Sequence, residues 1–555
     1  MTGIDAPPAS STARYALFAI LLVAAMLRVD GLGFGLPALY DADEPLFVLT
    51  ALKLLRNGTL NPGWFGHPGS TTLYALALVD IVVLGAGLIT GRFADLRAVE
   101  SAIYADPGLV VLPGRAFVLL CALAVIALTW VIARRLFGAP AATLAAALLA
   151  LDPIHLRYSQ IIRTDMHATV FMLLCGWAAI GIAERGRLRD YLLAGLWLGL
   201  AIVTKWPAAV AGVAIGGAAL LRVRTHPHER AQQVRRFALA MAATLAAMAL
   251  ASPYLLIDYA TVVENLQGEA RRHHPGATGH GLWGNAAWYV AYPLRTAFGP
   301  AGLVLALVGC GVAARANRVF RYVFLPFAAV FFLLISAQTL IWERWTVPLL
   351  PLLSITTAVA IVRGWRWLSA RVSLPVAASL GAVVAVVLAG PLILGIGAVA
   401  RERDNDTRRL ASAWALRHVA PGSTVLVEHL ALDLARQPWR FLFPVGEVGC
   451  VDALANLQGR ITYTAVAKVR GQRPIVDVGN IDPARARTCR SDVAILVNYD
   501  RYLQEPALYA RELATYRTVL RGMRTVAVFR PLVGLRGGPP VRVLVMSRKT
   551  PPGRL

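Results

Sequence analysis

The chain has 555 residues, of which 57% are hydrophobic and 15% charged, and its mean hydropathy is +0.59. These values exclude a soluble globular protein and indicate a polytopic membrane protein. The net charge of +24 does not indicate nucleic-acid binding, because Arg and Lys also mark cytoplasmic loops and contacts with phospholipids or phosphates.

Residues 1–14 are rich in Pro, Ser and Ala and lack the basic stretch of a secretory signal, so we expect a disordered cytoplasmic N terminus. The apolar run over residues 15–36 is predicted to be a retained first membrane helix. It leads into the stretch "LYDADEPL" (39–46), which places three carboxylates where the chain emerges from hydrocarbon.

Later apolar segments alternate with basic loops. A hydrocarbon core of about 30 Å needs roughly 20 apolar residues, and basic clusters mark the cytoplasmic side of short loops. These rules predict about 11 transmembrane helices within residues 15–400, with external loops at 37–112 and 258–298. After the first helix, the predicted spans are 113–133, 141–156, 168–183, 191–204, 207–222, 237–257, 298–314, 319–337, 346–362 and 373–399.

Residues 71–90 are also apolar enough to span the membrane. Counting them as a pass would put Arg134, Arg135 and every later basic loop on the wrong side. We therefore predict that they lie in, or re-enter, the outer membrane interface. Just before them, Pro45 suits a first helical turn and Gly58 suits a helix end, which predicts a second interfacial helix.

Residues 401–555 differ in character and are predicted to form a small extracytoplasmic α/β domain. Short apolar runs such as "STVLVE" (423–428) and "DVAILVNY" (492–499) are typical of strands. The domain holds Cys450 and Cys489, and an oxidising compartment would allow a disulfide between them.

The acidic stretch contains Asp41, Asp43 and Glu44. One carboxylate could simply cap the helix that follows, but capping does not explain three. The functional alternative is a general base or metal ligand in a partly dry cleft, where burial would raise the proton affinity of a carboxylate.

A second group of ionisable residues occurs in "RYSQIIRTDMHA", near the predicted outer end of a span. It contains Arg157, Arg163, Asp165 and His167. Ionisable residues at membrane depth are candidates for a functional site, although an Arg–Asp pair could also fix a helix position at the interface.

Lys205 and Arg344 follow or precede apolar segments at the predicted outer face. They could snorkel to lipid headgroups or bind a phosphate, which would suit a reaction with a phosphate leaving group. Glu264 belongs to a loop rich in histidines, whose irregular spacing is weak evidence for a metal site. The sequence has no Gly-rich nucleotide-binding motif, so an external transferase would take its group from another donor, such as a lipid-phosphate carrier.

Six motifs together resemble the GT-C membrane glycosyltransferases, within them the group that includes protein O-mannosyltransferases and lipid A aminoarabinose transferases. The likeness runs from the first helix to about residue 360. In chain order, the motifs are "DADEPLFVLTALKLLRNGTLNPGWFGHPGSTTLYALAL" (41–78), "RRLFG" (134–138), "RYSQIIRTD" (157–165), "GLWLGLAIVTKW" (195–206), "SPYLLIDY" (252–259) and "RWTVPLLPLL" (344–353).

The resemblance implies a multi-helix bundle whose active site faces the extracytoplasmic side. It implies that Asp43 is the catalytic base, that Asp165 is a supporting carboxylate, and that Lys205 and Arg344 bind the donor phosphate. His67 occupies the place of a family loop element.

Asp41 departs from the family pattern, so the choice between Asp41 and Asp43 as the base stays open, with Glu44 as a further acidic candidate. Arg163 and Glu264, with His67, are candidates for substrate binding. Family members differ in metal dependence, so no cofactor is carried over, and a divalent metal stays an open alternative.

The expected function is transfer of a sugar from a polyprenyl-phosphate carrier to an acceptor hydroxyl of a protein, lipid or polysaccharide, with inversion at the anomeric carbon. The expected location is a bacterial plasma membrane, crossed many times, with a cytoplasmic N terminus. The alternative is a transporter or flippase of lipid-linked sugars, which would also need a cationic phosphate site.

Overall fold

The computed structural model describes residues 11–67, 69–270, 272–428, 432, 434, 437–452 and 476–547. They form two compact units. The first comprises Asp43–His273 and Ala277–Ile396 together with residues 11–33, and the second comprises Phe34–Ala42, His274–Gly276 and residues 397–547.

The first unit is helical. Short 3₁₀ segments at Trp206–Ala211 and Glu343–Leu349 precede α10 and α17. The α-helices up to the end of the membrane region are α1 Ser11–Val29, α2 Glu44–Asn57, α3 Ser70–Ile89, α4 Leu96–Ala105, α5 Gly108–Phe137, α6 Ala139–Ala150, α7 Pro153–Tyr158, α8 Thr164–Arg185, α9 Leu188–Thr204, α10 Gly212–Thr225, α11 Arg230–Ala251, α12 Tyr254–Ile257, α13 Tyr259–Glu269, α14 Gly281–Tyr289, α15 Arg295–Ala316, α16 Leu325–Ser336, α17 Leu350–Ser369 and α18 Leu374–Asp404.

Each predicted span contains a helix. Within the described residues, nine helical segments are long and apolar enough to cross a membrane, and Ala139–Ala150 and Phe320–Ser336 are shorter apolar helices. Residues 70–89 are one of the nine, so length and composition leave open whether α3 crosses the membrane or lies in its interface.

The ends of two predicted helices differ from the structure. Helix α1 begins at Ser11 and ends at Val29, seven residues before the predicted end, because Gly31, Gly33 and Gly35 follow it in a series of turns. The predicted span 141–156 is broken at Asp152, whose side chain accepts hydrogen bonds from the first N–H groups of α7.

Small residues let the helices of the bundle approach closely. Gly195 and Gly199 of α9 face α11, and a Cβ on Gly199 would lie 2.6 Å from the Thr244 carbonyl oxygen. Larger residues there would push the helices apart. This is the small-xxx-small spacing that favours close helix packing in membranes.

The second unit is an α/β domain, as predicted. Within the described residues its sheet has six strands in the order β3-β2-β1-β4-β6-β5, and β1 is parallel to β2 and β4 whereas the other pairs are antiparallel. A disulfide joins Cys450 to Cys489. The elements are α19 Thr407–His418, β1 Thr424–Val427, β2 Arg440–Val445, β3 Gly449–Asp452, β4 Val493–Leu496, α20 Tyr499–Tyr502, α21 Ala510–Val519, β5 Met523–Phe529 and β6 Val541–Met546.

The segment Phe34–Ala42 is held within the second unit by Arg408. Its guanidinium lies 4.1 Å from the centre of the Tyr40 ring and donates to the Tyr40 carbonyl oxygen over 2.5 Å. Asp406 orients the same guanidinium through hydrogen bonds of 2.9 and 2.8 Å. Asp41, one of the candidate bases, therefore belongs to a segment that packs in the second unit.

Candidate active site

Asp43 lies directly before α2 and faces two arginines. Its carboxylate pairs with Arg163, and Arg344 Nη2 lies 3.7 Å from Asp43 Oδ2. The Asp43 side chain makes no capping hydrogen bond to α2, so the capping interpretation is wrong for this residue. Helix α2 itself begins and ends as predicted, with Gly58 in the left-handed conformation (φ 58°) after its last residue.

The electrostatic environment of Asp43 differs from the expectation. Burial raises its pKa, but the positive charges of Arg163 and Arg344 outweigh burial and hold that pKa well below its usual range. The sequence-based expectation of a raised proton affinity is therefore wrong for Asp43 in this arrangement. Asp43 is a carboxylate whose charge is neutralised by neighbouring cations.

Asp165 and Lys205 form a second ion pair. Asp165 lies in the first turn of α8, and Lys205 directly follows α9. The two side chains are paired and nearly inaccessible to solvent, with exposed fractions of 4% and 10%. A buried ammonium is stable only beside such a partner or another anion. Lys205 is therefore a buried cation whose charge Asp165 stabilises, and a bound anion could take the place of Asp165.

His67 connects the two ion pairs. Its pKa is lowered to about 4, first by burial and then by the charges of Lys205 and Arg344, while Asp43 and Asp165 act in the opposite direction. The imidazole is therefore neutral near pH 7. Gly69, two residues later, takes the left-handed conformation (φ 62°) and donates its N–H to the Thr204 carbonyl oxygen over 3.2 Å.

Six side chains thus form one electrostatic group, which we call the outer cluster. They come from five separate stretches of the chain, and the first unit brings them together. The members are Asp43, His67, Arg163, Asp165, Lys205 and Arg344.

Glu44 has a different position from its neighbour Asp43. It accepts hydrogen bonds from Arg115 Nε and Nη2 over 2.8 and 2.6 Å, and from the Ile162 N–H over 2.9 Å. Both side chains of the pair are buried, with exposed fractions of 0% and 2%. Glu44 therefore anchors the start of α2 against α5 and the segment that leads to Arg163.

Two neighbouring residues support Arg344. The Arg344 guanidinium lies 4.6 Å from the centre of the Trp342 ring, in a cation–π contact. Glu343 accepts from Arg157 Nη1 over 3.0 and 3.2 Å, which ties the 3₁₀ segment to α7. Sequence reasoning missed Arg115 and Glu343, although an arginine inside the apolar run of α5 is a signal of a buried partner.

Two further candidates, Glu264 and His167, also lie outside the outer cluster. Glu264 is exposed on α13, and its side chain has no hydrogen bond or ion pair among the described residues. His167 lies between Phe117 and Phe171, and its Nδ1 is 3.1 Å from the Thr72 hydroxyl. Within the part of the chain that the structure describes, no group of three or more His, Cys, Asp or Glu side chains is placed to hold a metal ion.

An apolar cavity of about 60 Å³ adjoins the Asp165–Lys205 pair. Asp165, Lys205 and Gln338 are its polar lining residues, and the rest of the lining is hydrophobic. The apolar lining includes Ala168, Met172, Ala208, Phe331, Ile335 and Trp345. A cation at the end of an apolar cavity fits an amphiphile with an anionic head.

Comparisons with known proteins agree with this architecture. Residues 108–257 match the family model described as dolichyl-phosphate-mannose-protein mannosyltransferase. No curated protein sequence matches significantly. The structure of ArnT from Cupriavidus metallidurans in the apo state aligns with a TM-score of 0.54 at 16% identity, over 96% of this chain and 98% of that one.

A second structure of the same protein, ArnT bound to undecaprenyl phosphate, aligns with a TM-score of 0.53 at 16% identity, over 98% of this chain and all of that one (100%). An archaeal oligosaccharyltransferase, AglB from Archaeoglobus fulgidus, aligns with a lower TM-score of 0.45 at 12% identity, over 75% of this chain and 63% of that one. The ArnT alignments extend over both units of the chain, so the likeness is one of the whole fold.

Proposed function

We propose that this chain, which has the GT-C fold of the polyprenyl-phosphate-dependent membrane glycosyltransferases, transfers a sugar from a polyprenyl-phosphate carrier to an acceptor hydroxyl. The observation that carries the proposal is the outer cluster, in which two carboxylates and three cations meet beside an apolar cavity. The undecaprenyl phosphate bound by ArnT, a protein of similar fold, supports the choice of carrier.

In the proposed reaction, Lys205 and Arg344 hold the phosphate of the donor. The apolar cavity next to Lys205 receives the beginning of its hydrocarbon chain. Cations fixed in this way stabilise the negative charge that develops on the phosphate oxygen as the sugar departs. The bond from the anomeric carbon to that oxygen breaks, and its electron pair leaves with the lipid phosphate.

Asp43 is the proposed base. It accepts the proton of the acceptor hydroxyl, whose oxygen forms the new bond to the anomeric carbon in a single displacement that inverts this centre. Donor binding would prepare Asp43 for this role, because a phosphate bound to Arg344 offsets part of the positive charge that lowers the pKa of Asp43.

The placement of charge favours this proposal over a transporter. The members of the outer cluster lie at helix ends or in loops. Asp43 precedes α2, Asp165 is in the first turn of α8, and Lys205 follows α9. A transporter of lipid-linked sugars should instead place such groups in broken helices near the middle of the bilayer.

Mass spectrometry of envelope glycolipids, polysaccharides and glycoproteins, with and without the gene, tests the proposal. We expect one sugar modification to disappear while the unused lipid-linked sugar accumulates on the outer leaflet. Accumulation on the inner leaflet would instead identify a flippase. An unchanged set of glycoconjugates would contradict both functions.

A further inference from the structure

The turn between β5 and β6 exposes hydrophobic side chains at its tip, which comprises residues 531–535. Leu532, Val533 and Leu535 have exposed fractions of 54%, 84% and 51%. These are the three highest values among the large exposed hydrophobic residues of the second unit that the structure describes. Three such side chains within four residues form a small apolar patch at the end of a hairpin.

The tip has a defined conformation. The Leu532 and Arg536 backbones form a bridge, with N–H to carbonyl distances of 2.9 and 2.8 Å. Gly534 takes a left-handed conformation (φ 76°), which lets the chain reverse within the turn. The hydrophobic side chains are therefore presented by an ordered turn.

The tip is fixed to the end of the long apolar helix α18. The Gly534 N–H donates to Glu402 Oε1 over 2.7 Å, and Arg401 Nε donates to the Gly534 carbonyl oxygen over 3.0 Å. About one turn earlier in the same helix, the Ala398 Cβ lies 3.6 Å from the position that a Cβ on Gly534 would occupy. The sequence predicts that the membrane span of this helix ends at residue 399.

These contacts define the depth of the tip relative to the end of the span. Ala398 and Arg401 are three residues apart, which corresponds to about 4.5 Å along a helix. The tip therefore lies at the level where the apolar part of α18 gives way to its first arginine. Arg530 and Arg536 flank the tip on the hairpin itself. Hydrophobic residues bordered by arginines are typical of segments at the boundary between headgroups and acyl chains.

We propose that residues 531–535 insert into the outer interface of the bilayer. Leu532, Val533 and Leu535 enter the acyl boundary, and Arg401, Arg530 and Arg536 meet lipid phosphates. The tip is then a second membrane contact of the soluble unit, in addition to its covalent connection through α18. It limits how far this unit can tilt away from the membrane surface.

Site-directed fluorescence on the full-length protein tests the proposal. The protein is placed in nanodiscs of phosphatidylethanolamine and phosphatidylglycerol, after Cys121, Cys175 and Cys310 are replaced by alanine. A polarity-sensitive fluorophore is attached to Val533→Cys. A quencher carried on the lipid near its headgroup should decrease the emission.

Val528→Cys is the matched control. Val528 is exposed (37%) on β5 of the same hairpin, and five residues separate it from Val533. This spacing corresponds to up to about 17 Å along a strand. We expect strong loss of emission at position 533 and little at position 528. Equal loss at the two positions, or none at either, would overturn the proposal.

A second measurement does not depend on labelling. In nanodiscs, the substitutions Leu532→Ser, Val533→Ser and Leu535→Ser, made together, should increase deuterium uptake of residues 530–537 relative to the parent protein. These side chains are exposed, so the variant should keep the melting temperature of the parent. Unchanged uptake in the folded variant would also contradict insertion.

Discussion

Asp43 is held between two arginines, and this arrangement constrains how it can act as a base. Arg163 and Arg344 keep its pKa low, so it is ionised but accepts a proton weakly. A phosphate bound to Arg344 would weaken that effect. The proton affinity of Asp43 would then rise when the donor binds. Asp43 would take little part in deprotonating an acceptor hydroxyl before the donor is present.

Replacing Asp43 with Asn tests its proposed role. The amide is similar in size but cannot accept the acceptor proton, so we expect transfer to fall by about 10² to 10⁴-fold. The measurement is the rate of sugar transfer by purified protein from a polyprenyl-phosphate-linked sugar. Glu100→Gln, which changes an exposed carboxylate of α4 in the same predicted external loop, should leave the rate unchanged. Full activity of the Asp43 variant would assign the role to Asp41, because Glu44 is buried against Arg115.

His67 gives a prediction about stability and pH. Its pKa is about 4 in the folded protein against an ordinary value of 6.5, so between these values the unfolded chain binds a proton that the folded chain does not. Folding stability should therefore fall as the pH decreases from 6.5 towards 4.

The substitution His67→Gln should remove this part of the acid sensitivity. The melting temperature of the variant relative to the parent should rise as the pH is lowered through this window, measured by thermal unfolding in detergent. His228→Gln, which changes a histidine with a side chain 76% exposed, is the control. A difference in melting temperature that does not change with pH would contradict a buried neutral imidazole.

At the scale of elements, the start of α2 is fixed to α5 by the buried pair of Glu44 and Arg115. Glu44→Gln leaves the Arg115 charge buried without its partner, and such a loss costs about 3–5 kcal/mol. The double variant Glu44→Leu with Arg115→Met should recover part of this stability, because it removes both charges. Thermal unfolding measures both effects.

The exposed pair of Arg56 and Glu100 is the matched control for this experiment. Its atoms are 3.8 Å apart and both side chains are more than half exposed, so Glu100→Gln should have almost no effect on stability. An equal effect of Glu44→Gln and Glu100→Gln would refute the anchoring role of Glu44.

The segment between α3 and α5 supports the predicted interfacial location of α3. Its first residues Ser70 and Thr71 are hydrogen-bonded to Ser252 and Thr204, over 2.7 and 2.5 Å, at helix ends predicted to face outside. The only helix between α3 and α5 is α4, whose ten residues span about 15 Å. That is too short to return across a bilayer, and the charged non-helical residues beside it cannot lie in hydrocarbon.

A reporter enzyme that is active only on the extracytoplasmic side of the membrane should therefore be active when it is fused after Asp95. Fusions after Arg135 and after Lys205 serve as the cytoplasmic and external references predicted by the basic loops. An Asp95 fusion as inactive as the Arg135 reference would mean that α3 crosses the membrane.

The sequence predicted helices and strands better than their ends. Apolar length placed a helix within every predicted span, because a bilayer imposes the same length requirement on each of them. It did not locate the break at Asp152 or the early end of α1, which depend on local turns and capping.

At the scale of the whole molecule, the outer cluster joins residues that are up to 301 positions apart in sequence, from Asp43 to Arg344. Membrane topology made part of this predictable, because residues at the ends of different helices on one side must share a surface. Which cation would face which carboxylate depends on helix packing. Sequence reasoning therefore proposed the members of the cluster but not the pairing of Asp43 with Arg163 or of Asp165 with Lys205.

The disulfide between Cys450 and Cys489 provides a test of where the second unit lies. The two cysteines are 39 residues apart, and closing a loop of this length stabilises a folded domain by about 4 kcal/mol in the chain-entropy model. Replacing both by alanine should lower the melting temperature of this unit. Cys310→Ala, which removes a free cysteine from α15, should change it little.

The oxidation state in living cells is the more direct measurement. Disulfides persist outside the cytoplasm, whereas cytoplasmic thiols are kept reduced. If the second unit is extracytoplasmic, Cys450 and Cys489 should resist alkylation in rapidly quenched, denatured cells until a reductant is added. Cys121, Cys175 and Cys310 should react on denaturation alone. Immediate alkylation of all five cysteines would place this unit in a reducing compartment. The number of membrane crossings before residue 401 would then differ from the predicted number by an odd number.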